Sequence, residues 1–100
     1  PDLAAQPSIQ HLTHLPEELR RLFVTAHDVS PEHHVRMQAV FQRYSDSGVS
    51  KTINMSASAT KNEVATAFLL AFQLGCKGLT VFRTGSREHQ VFSCSPTKPC

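Results

Sequence analysis

Charge is scarce in this sequence: Asp, Glu, Lys and Arg make up 18% of the 100 residues, and the formal net charge is +2. So small an excess, with no basic run to concentrate it, offers no footprint for nucleic acid or for an anionic membrane surface. Repulsion between like charges is equally excluded as a source of disorder. Long hydrophobic runs are missing too. The longest apolar stretch, residues 65–74, is interrupted by Thr66 and Gln73 and is too short to cross a bilayer. No signal peptide opens the chain. It starts at Pro1 rather than Met, which reads as a cut, processed or artificially chosen end, and the expected compartment is the cytoplasm. The three cysteines, Cys76, Cys94 and Cys100, are an odd number, which argues against a secreted disulfide scaffold. A hydrophobic fraction of 40% beside so little charge fits a piece of a larger protein, some of whose faces are buried by chain that lies elsewhere. A chain of this length buries only a thin core by itself.

What is present divides into elements. Residues 1–14 carry Pro1, Pro7 and polar punctuation with no period, and read as an extended lead-in. Leu15-Pro16-Glu17-Glu18 is a helix start, with proline in the first turn and two acids near the positive end of the dipole. Leu15, Leu19, Leu22 and Phe23 would share a face, and this helix is predicted to end near Ala26. Ser30-Pro31-Glu32 starts a second helix, with Ser30 as cap. Val35, Ala39 and Val40 recur at helical spacing, with Met37, Phe41 and Tyr44 broadening the stripe. Ser45-Asp46-Ser47-Gly48 is predicted to end it, Gly48 supplying backbone freedom.

Residues 49–55 alternate as a strand. Val49, Ile53 and Met55 fall on one face, with Lys51 the exception, and Ser50, Thr52 and Asn54 fall on the other. Thr60-Lys61-Asn62-Glu63 spells a capping box. The helix it opens carries Val64, Ala67, Phe68, Leu70, Ala71, Phe72 and Leu74, so it is expected to be covered on several sides until Gly75 stops it. Residues 79–83 read as a second strand, Thr84-Gly85-Ser86 as a turn, and residues 90–93 as a short final strand. A long, well-capped helix between two strands predicts a parallel βαβ unit with a right-handed crossover, and an α/β class.

The chemistry-bearing residues are few. His33 and His34 are adjacent, so on a helix they point about 100° apart and cannot share an ion as an i, i+4 pair does. No HExxH or CxxC spacing occurs, and no metal site is expected. Cys76 follows an apolar helix with no sequence-local base, which reads as packing rather than nucleophilic catalysis. Gly75-Cys76-Lys77-Gly78 follows a helix and precedes a strand, the wrong order for a phosphate loop. Ser50, Thr52 and Asn54 are the best hint of a site. Small polar groups on a parallel strand line cavities in α/β barrels, and the alternative is a plain exposed face. Cys94 and Cys100 flank a short polar stretch in the tail at residues 93–100. They are either a reversible redox pair, closed at low entropic cost, or incidental.

One family matches these residues in order. The run Phe23-Val24-Thr25-Ala26-His27-Asp28-Val29-Ser30-Pro31-Glu32-His33-His34-Val35-Arg36-Met37-Gln38-Ala39-Val40-Phe41-Gln42, then Val49-Ser50-Lys51-Thr52-Ile53-Asn54, then Ala71-Phe72-Gln73-Leu74-Gly75-Cys76-Lys77-Gly78-Leu79-Thr80-Val81-Phe82-Arg83 and Gly85-Ser86-Arg87 resembles the adenosylcobalamin (vitamin B12)-dependent, class II, ribonucleotide reductases. The resemblance spans residues 15–92. It implies the C-terminal segment (helix-helix-strand-helix-strand) of a ten-stranded α/β barrel, in an enzyme that makes 2'-deoxyribonucleotides by cobalamin-initiated radical chemistry. The remainder of the barrel would be the partner. Ser50, Thr52 and Asn54 would line the barrel behind the reacting groups, and Cys94 and Cys100 would form a tail pair reduced by a thioredoxin-like protein. The family's radical-bearing cysteine, its Asn-x-Cys-x-Glu motif and its substrate-phosphate loop match nothing here, so no catalytic residue is expected within this chain, and the cofactor is not expected to bind this segment alone. Phe82 stands in a Val-Phe-Arg context with no tyrosine pair. That suits a reductase whose radical arises within the barrel rather than arriving from a second subunit. The competing expectation is a stand-alone, non-enzymatic α/β interaction module derived from that barrel.

Overall fold

A computed structural model of the chain describes residues 8–86. Two compact units result, one containing residues 8–29 and the other Ser30–Ser86. The described elements follow one another as α1 (Glu17–Leu22), α2 (Pro31–Gln42), β1 (Thr52–Met55), α3 (Lys61–Gln73) and β2 (Thr80–Arg83). This is the helix-helix-strand-helix-strand order that the sequence predicts, in an α/β arrangement.

Among the described residues of the first unit, side-chain hydrogen bonds rather than a buried core hold the chain together. Residues 8–14, predicted to be extended, make successive turns, with the Leu12 N–H donating to Ile9 at 3.0 Å and the Leu15 N–H to Leu12 at 3.1 Å. Gln10 and Arg20 lock this stretch to α1 reciprocally. Gln10 Nε2 donates to the Arg20 carbonyl at 2.6 Å, and Arg20 Nη1 to the Gln10 carbonyl at 3.2 Å. Helix α1 stops at Leu22 instead of near Ala26 and buries no residue. Leu19, Leu22 and Phe23, predicted to share a face with Leu15, are exposed. The cause of the early stop is local. Asp28 takes the Thr25 N–H at 2.8 Å and the Thr25 hydroxyl at 2.9 Å, which draws residues 25–28 into a turn that competes with helix. Ser8 donates to the other oxygen of the same carboxylate at 2.6 Å. Desolvation pushes the Asp28 carboxyl upward, but the hydrogen bonds from Ser8 and Thr25 and the neighbouring His27 outweigh it and hold the group below its ordinary range.

In the second unit the caps fall where the sequence places them. The His33 N–H donates to Ser30 Oγ at 3.2 Å and Pro31 occupies the first helical position. Thr60 and Glu63 close the capping box: the Glu63 N–H donates to Thr60 Oγ1 at 3.2 Å, and the Thr60 N–H to Glu63 Oε2 at 2.7 Å. Helix α3 ends in a Schellman motif. The Gly75 N–H reaches Phe72 and the Cys76 N–H reaches Ala71, with Gly75 at φ 77°. Helix α2 ends at Gln42, ahead of the predicted stop at residues 45–48, and Gly48 does not adopt a left-handed backbone.

β1 and β2 pair in parallel, Thr52 beside Thr80, Ile53 beside Val81, Asn54 beside Phe82 and Met55 beside Arg83. Each strand starts later than predicted, at Thr52 rather than residue 49 and at Thr80 rather than residue 79. The predicted strand at residues 90–93 lies outside the described residues. The core lies on one side of this sheet. Val35, Ile53, Met55, Ala67 and Ala71 are buried, and Val64, Leu70, Cys76, Leu79 and Val81 pack against them. Ala67 and Ala71 present almost no side chain on the buried face of α3, which packs closely against α2.

Two sequence readings of the helices are corrected here. On α2 only Val35 of the predicted stripe is buried, with Ala39 half-buried. Met37, Val40, Phe41 and Tyr44 are exposed, and the buried face is instead His34, Val35, Gln38 and Gln42. Helix α3 is covered on one side, not several: Phe68, Leu69, Phe72 and Leu74 are exposed.

Two outcomes follow. Ile53→Ala removes a fully buried side chain and should cost about 2 kcal/mol or more in denaturant unfolding of the chain, whereas Phe72→Ala, at a position 82% exposed, should be close to neutral. Glu63 is held below the ordinary carboxylate range, first by the Thr60 N–H and then by its hydroxyl. A depressed folded pKa means stabilisation that is complete above the unfolded value and lost as pH falls through the folded one. Protection from hydrogen exchange at the start of α3, relative to the intrinsic rate at each pH, should therefore fall on acidification, and Glu63→Gln, which keeps the box without a titrating group, should flatten that dependence.

Candidate functional site

Within the second unit, the two-stranded sheet has one face clad by α2 and α3 and one face without a helix among that unit's described residues. Period-two alternation decides which residues lie on each. Ile53 and Met55 are buried against the helices, while Thr52 is exposed and Asn54 half-buried. Residues paired in a parallel register share a face, so Thr80 joins Thr52 and the half-buried Phe82 joins Asn54. The helix-free face is thus two hydroxyls, one carboxamide and one phenyl ring. Ser50 precedes β1 in an exposed position. Cys94 and Cys100 lie outside the described residues.

Side chains grip both ends of the sheet. At the amino ends, Gln38 is 1% exposed and donates through Nε2 to the Val49 carbonyl at 3.0 Å and to the Gly78 carbonyl at 2.7 Å. Gln42, one turn later, donates to the Ser45 and Ser47 carbonyls at 3.0 and 2.8 Å and accepts the Val49 N–H at 3.0 Å. At the carboxyl ends, the Thr84 N–H and hydroxyl both donate to the Met55 carbonyl, at 3.0 and 3.2 Å. Arg83 Nε donates to the Ala59 carbonyl at 3.1 Å and its Nη2 to the Ala57 carbonyl, which ties down the segment between β1 and α3. Carboxyl ends of parallel strands are where α/β sheets bind their ligands, so these bonds shape a candidate rim.

Sequence reading found Thr52 and Asn54 but missed Thr80 and Phe82, whose facing depends on the register. It also missed Gln38 and Gln42. The signal for the latter was available: His34, Gln38 and Gln42 recur every four residues on α2, a polar stripe beside the apolar one.

Chemically, the helix-free face can hydrogen-bond and stack, but it holds no ionisable group and no nucleophile. Cys76 is half-buried against the core, and desolvation pushes its thiol up, away from the reactive thiolate. Among the described residues no three His, Cys, Asp or Glu side chains gather as a metal site. No helix among them is long and apolar enough to cross a membrane.

Residues 2–82 match a family model described as the ribonucleotide reductase barrel domain. The vitamin B12-dependent ribonucleoside-diphosphate reductase of Thermoplasma acidophilum is 54% identical over 77 residues, covering 77% of this chain and 10% of that protein. The protein of the same name from Mycobacterium tuberculosis strain H37Rv is 41% identical over 98 residues, covering 98% of this chain and 14% of the relative. The vitamin B12-dependent ribonucleotide reductase of Streptantibioticus cattleyicolor is 37% identical over 65 residues, 65% of this chain and 11% of the relative. The chain therefore spans only between a tenth and a seventh of the length of these relatives.

Arg83→Ala removes both donors to the segment between β1 and α3. It should cost about 1 kcal/mol and speed amide exchange over residues 56–60. Arg83→Lys, a point charge without the guanidinium fork, should restore less than half of that protection.

Proposed function

This chain belongs to the ribonucleotide reductase barrel-domain family, and from that premise we propose that it is the C-terminal portion of a B12-dependent ribonucleotide reductase, incomplete alone. The parent enzyme makes 2'-deoxyribonucleotides from ribonucleotides by radical chemistry. This segment supplies a helix-clad part of the wall of its ten-stranded barrel.

The observation that carries the reading is the one-sided sheet. Parallel sheets occur with both faces covered and their edges paired, yet among the described residues of this unit two strands of four residues are clad by helices on one face only. Met37, Val40, Phe41 and Tyr44 on α2, and Phe68, Leu69 and Phe72 on α3, are exposed as well. So much exposed apolar surface marks a contact face. The missing strands and helices of the barrel would cover it.

In this reading Thr52 and Asn54, with Thr80 and Phe82 beside them, face the barrel interior, and Ser50 leads into that face. Their chemistry suits lining and hydrogen bonding, not proton or radical transfer. Adenosylcobalamin, when bound by the parent enzyme, supplies the initiating radical. The open depression on α1, lined by Pro16, Glu17, Glu18 and Arg21, has no part in this reading. In this reading the segment's part in the reaction is architectural. Cys94 and Cys100 are the redox pair that receives electrons from a thioredoxin-like protein, and the compartment is the cytoplasm.

The test supplies the chain in trans to the Thermoplasma relative shortened by its matching segment, with adenosylcobalamin, a dithiol and a ribonucleoside diphosphate. Neither piece should turn over alone, the pair should form deoxynucleotide, and amides of α2 and α3 should gain protection. A chain that stays a well-protected monomer and neither binds nor restores turnover is the stand-alone interaction module instead. In an active pair, Cys94→Ser or Cys100→Ser should abolish turnover driven by a thioredoxin-like protein while leaving turnover driven by a small dithiol largely intact.

A further inference from the structure

We infer that Gln38 is a positioning residue: its buried carboxamide sets how far β1 is advanced relative to β2, and so which residues stand side by side on the helix-free face. The structural part of this rests on the hydrogen bonds alone. Its consequence for catalysis rests on the reductase reading.

Two strands of four residues have a short ladder with which to hold their register. Alternation guards against a slip of one residue, which would turn the buried face outward, but a slip of two leaves every residue on its own face. Something outside the ladder must exclude it. The amide nitrogen of Gln38 carries two hydrogens in a fixed planar fork. One points to the carbonyl of Val49, three residues before β1, and the other to the carbonyl of Gly78, two residues before β2. The partners lie 11 and 40 positions away in sequence, so a single rigid group references both strands to one point on α2. Val49 cannot slide under that grip, because Gln42 accepts its N–H while Gln38 holds its carbonyl. With both amino ends set, Thr52 falls beside Thr80 and Asn54 beside Phe82.

Core filling does not account for this residue. Gln38 Oε1 is buried and accepts no hydrogen bond from the described residues, a cost that a methionine or leucine of similar volume would avoid. A buried amide that leaves one of its own atoms unpaired is explained by what its other atom specifies.

Gln38→Met keeps the volume and removes the donors. Gln38→Glu keeps the shape and, when ionised, sets an oxygen against two carbonyls. Amide exchange is measured in the chain and in its complex with the shortened Thermoplasma relative. The positions compared are 53–55 and 80–84 in the sheet against 68–72 in α3, whose capping box and Schellman motif do not involve Gln38. In Gln38→Met the sheet amides should lose protection roughly ten-fold while the α3 amides change less than about three-fold. Gln38→Glu should be worse near neutral pH and recover part of the loss, relative to the wild-type chain at the same pH, once acid returns one donor to the carboxyl. In an active complex kcat should fall by a larger factor than KM rises. Equal losses in sheet and helix would reduce Gln38 to a core residue, and unchanged sheet amides would remove its role altogether; either overturns the inference. A wild-type complex without turnover counts against the reductase reading alone, because the exchange comparison decides the Gln38 question without it.

Discussion

The second unit depends on the satisfaction of backbone groups at the ends of a very short parallel sheet. Parallel pairing brings no tight hairpin to align the strands, and the connection through α3 is long enough to allow several alignments. The carbonyls of Val49 and Gly78 lie just ahead of the strands, where no ladder partner reaches them. Gln38 answers both, Gln42 answers the Val49 N–H and two carbonyls of the preceding loop, and Arg83 with Thr84 does the equivalent work at the far end. A thin core of Val35, Ile53, Met55, Ala67 and Ala71 gains its geometry from these polar ends, since such a core by itself tolerates many packings.

This arrangement explains an inversion on α2. The helix carries an apolar stripe and a glutamine-histidine stripe side by side, and the polar one faces the sheet with Val35. Burial follows the need for donors at the strand ends, which an apolar stripe could not meet. The apolar stripe is thereby left exposed, as are the phenyl rings of α3. The proposed place of the segment in a larger barrel would account for both facts, with the polar stripe internal to the segment and the apolar ones turned to the rest of the barrel.

Legibility in the sequence tracked the range of the interactions. Ser30-Pro31, the Thr60–Glu63 box and Gly75 are cues whose partners lie within a few residues, and each was found in place. Helix α1 was overestimated because Asp28 captures Thr25 through a side-chain bond that outcompetes one further turn of helix. The start of β1 was placed too early because Val49 is held by Gln38 and Gln42 rather than by the ladder. On the candidate site, the alternation of β1 marked Thr52 and Asn54, while Thr80 and Phe82 became visible only through pairing.

The amino-acid sequence by itself determined the type and order of the elements, the caps of α2 and α3, the two faces of β1 and the family, because each is written in local spacing or in a run of matching residues. Tertiary structure alone decided which stripe of α2 is buried, which residues of β2 stand beside Thr52 and Asn54, and what Gln38 does. Those outcomes hang on carbonyls brought together from 11 and 40 residues away, and no local pattern carries the position of a distant backbone group.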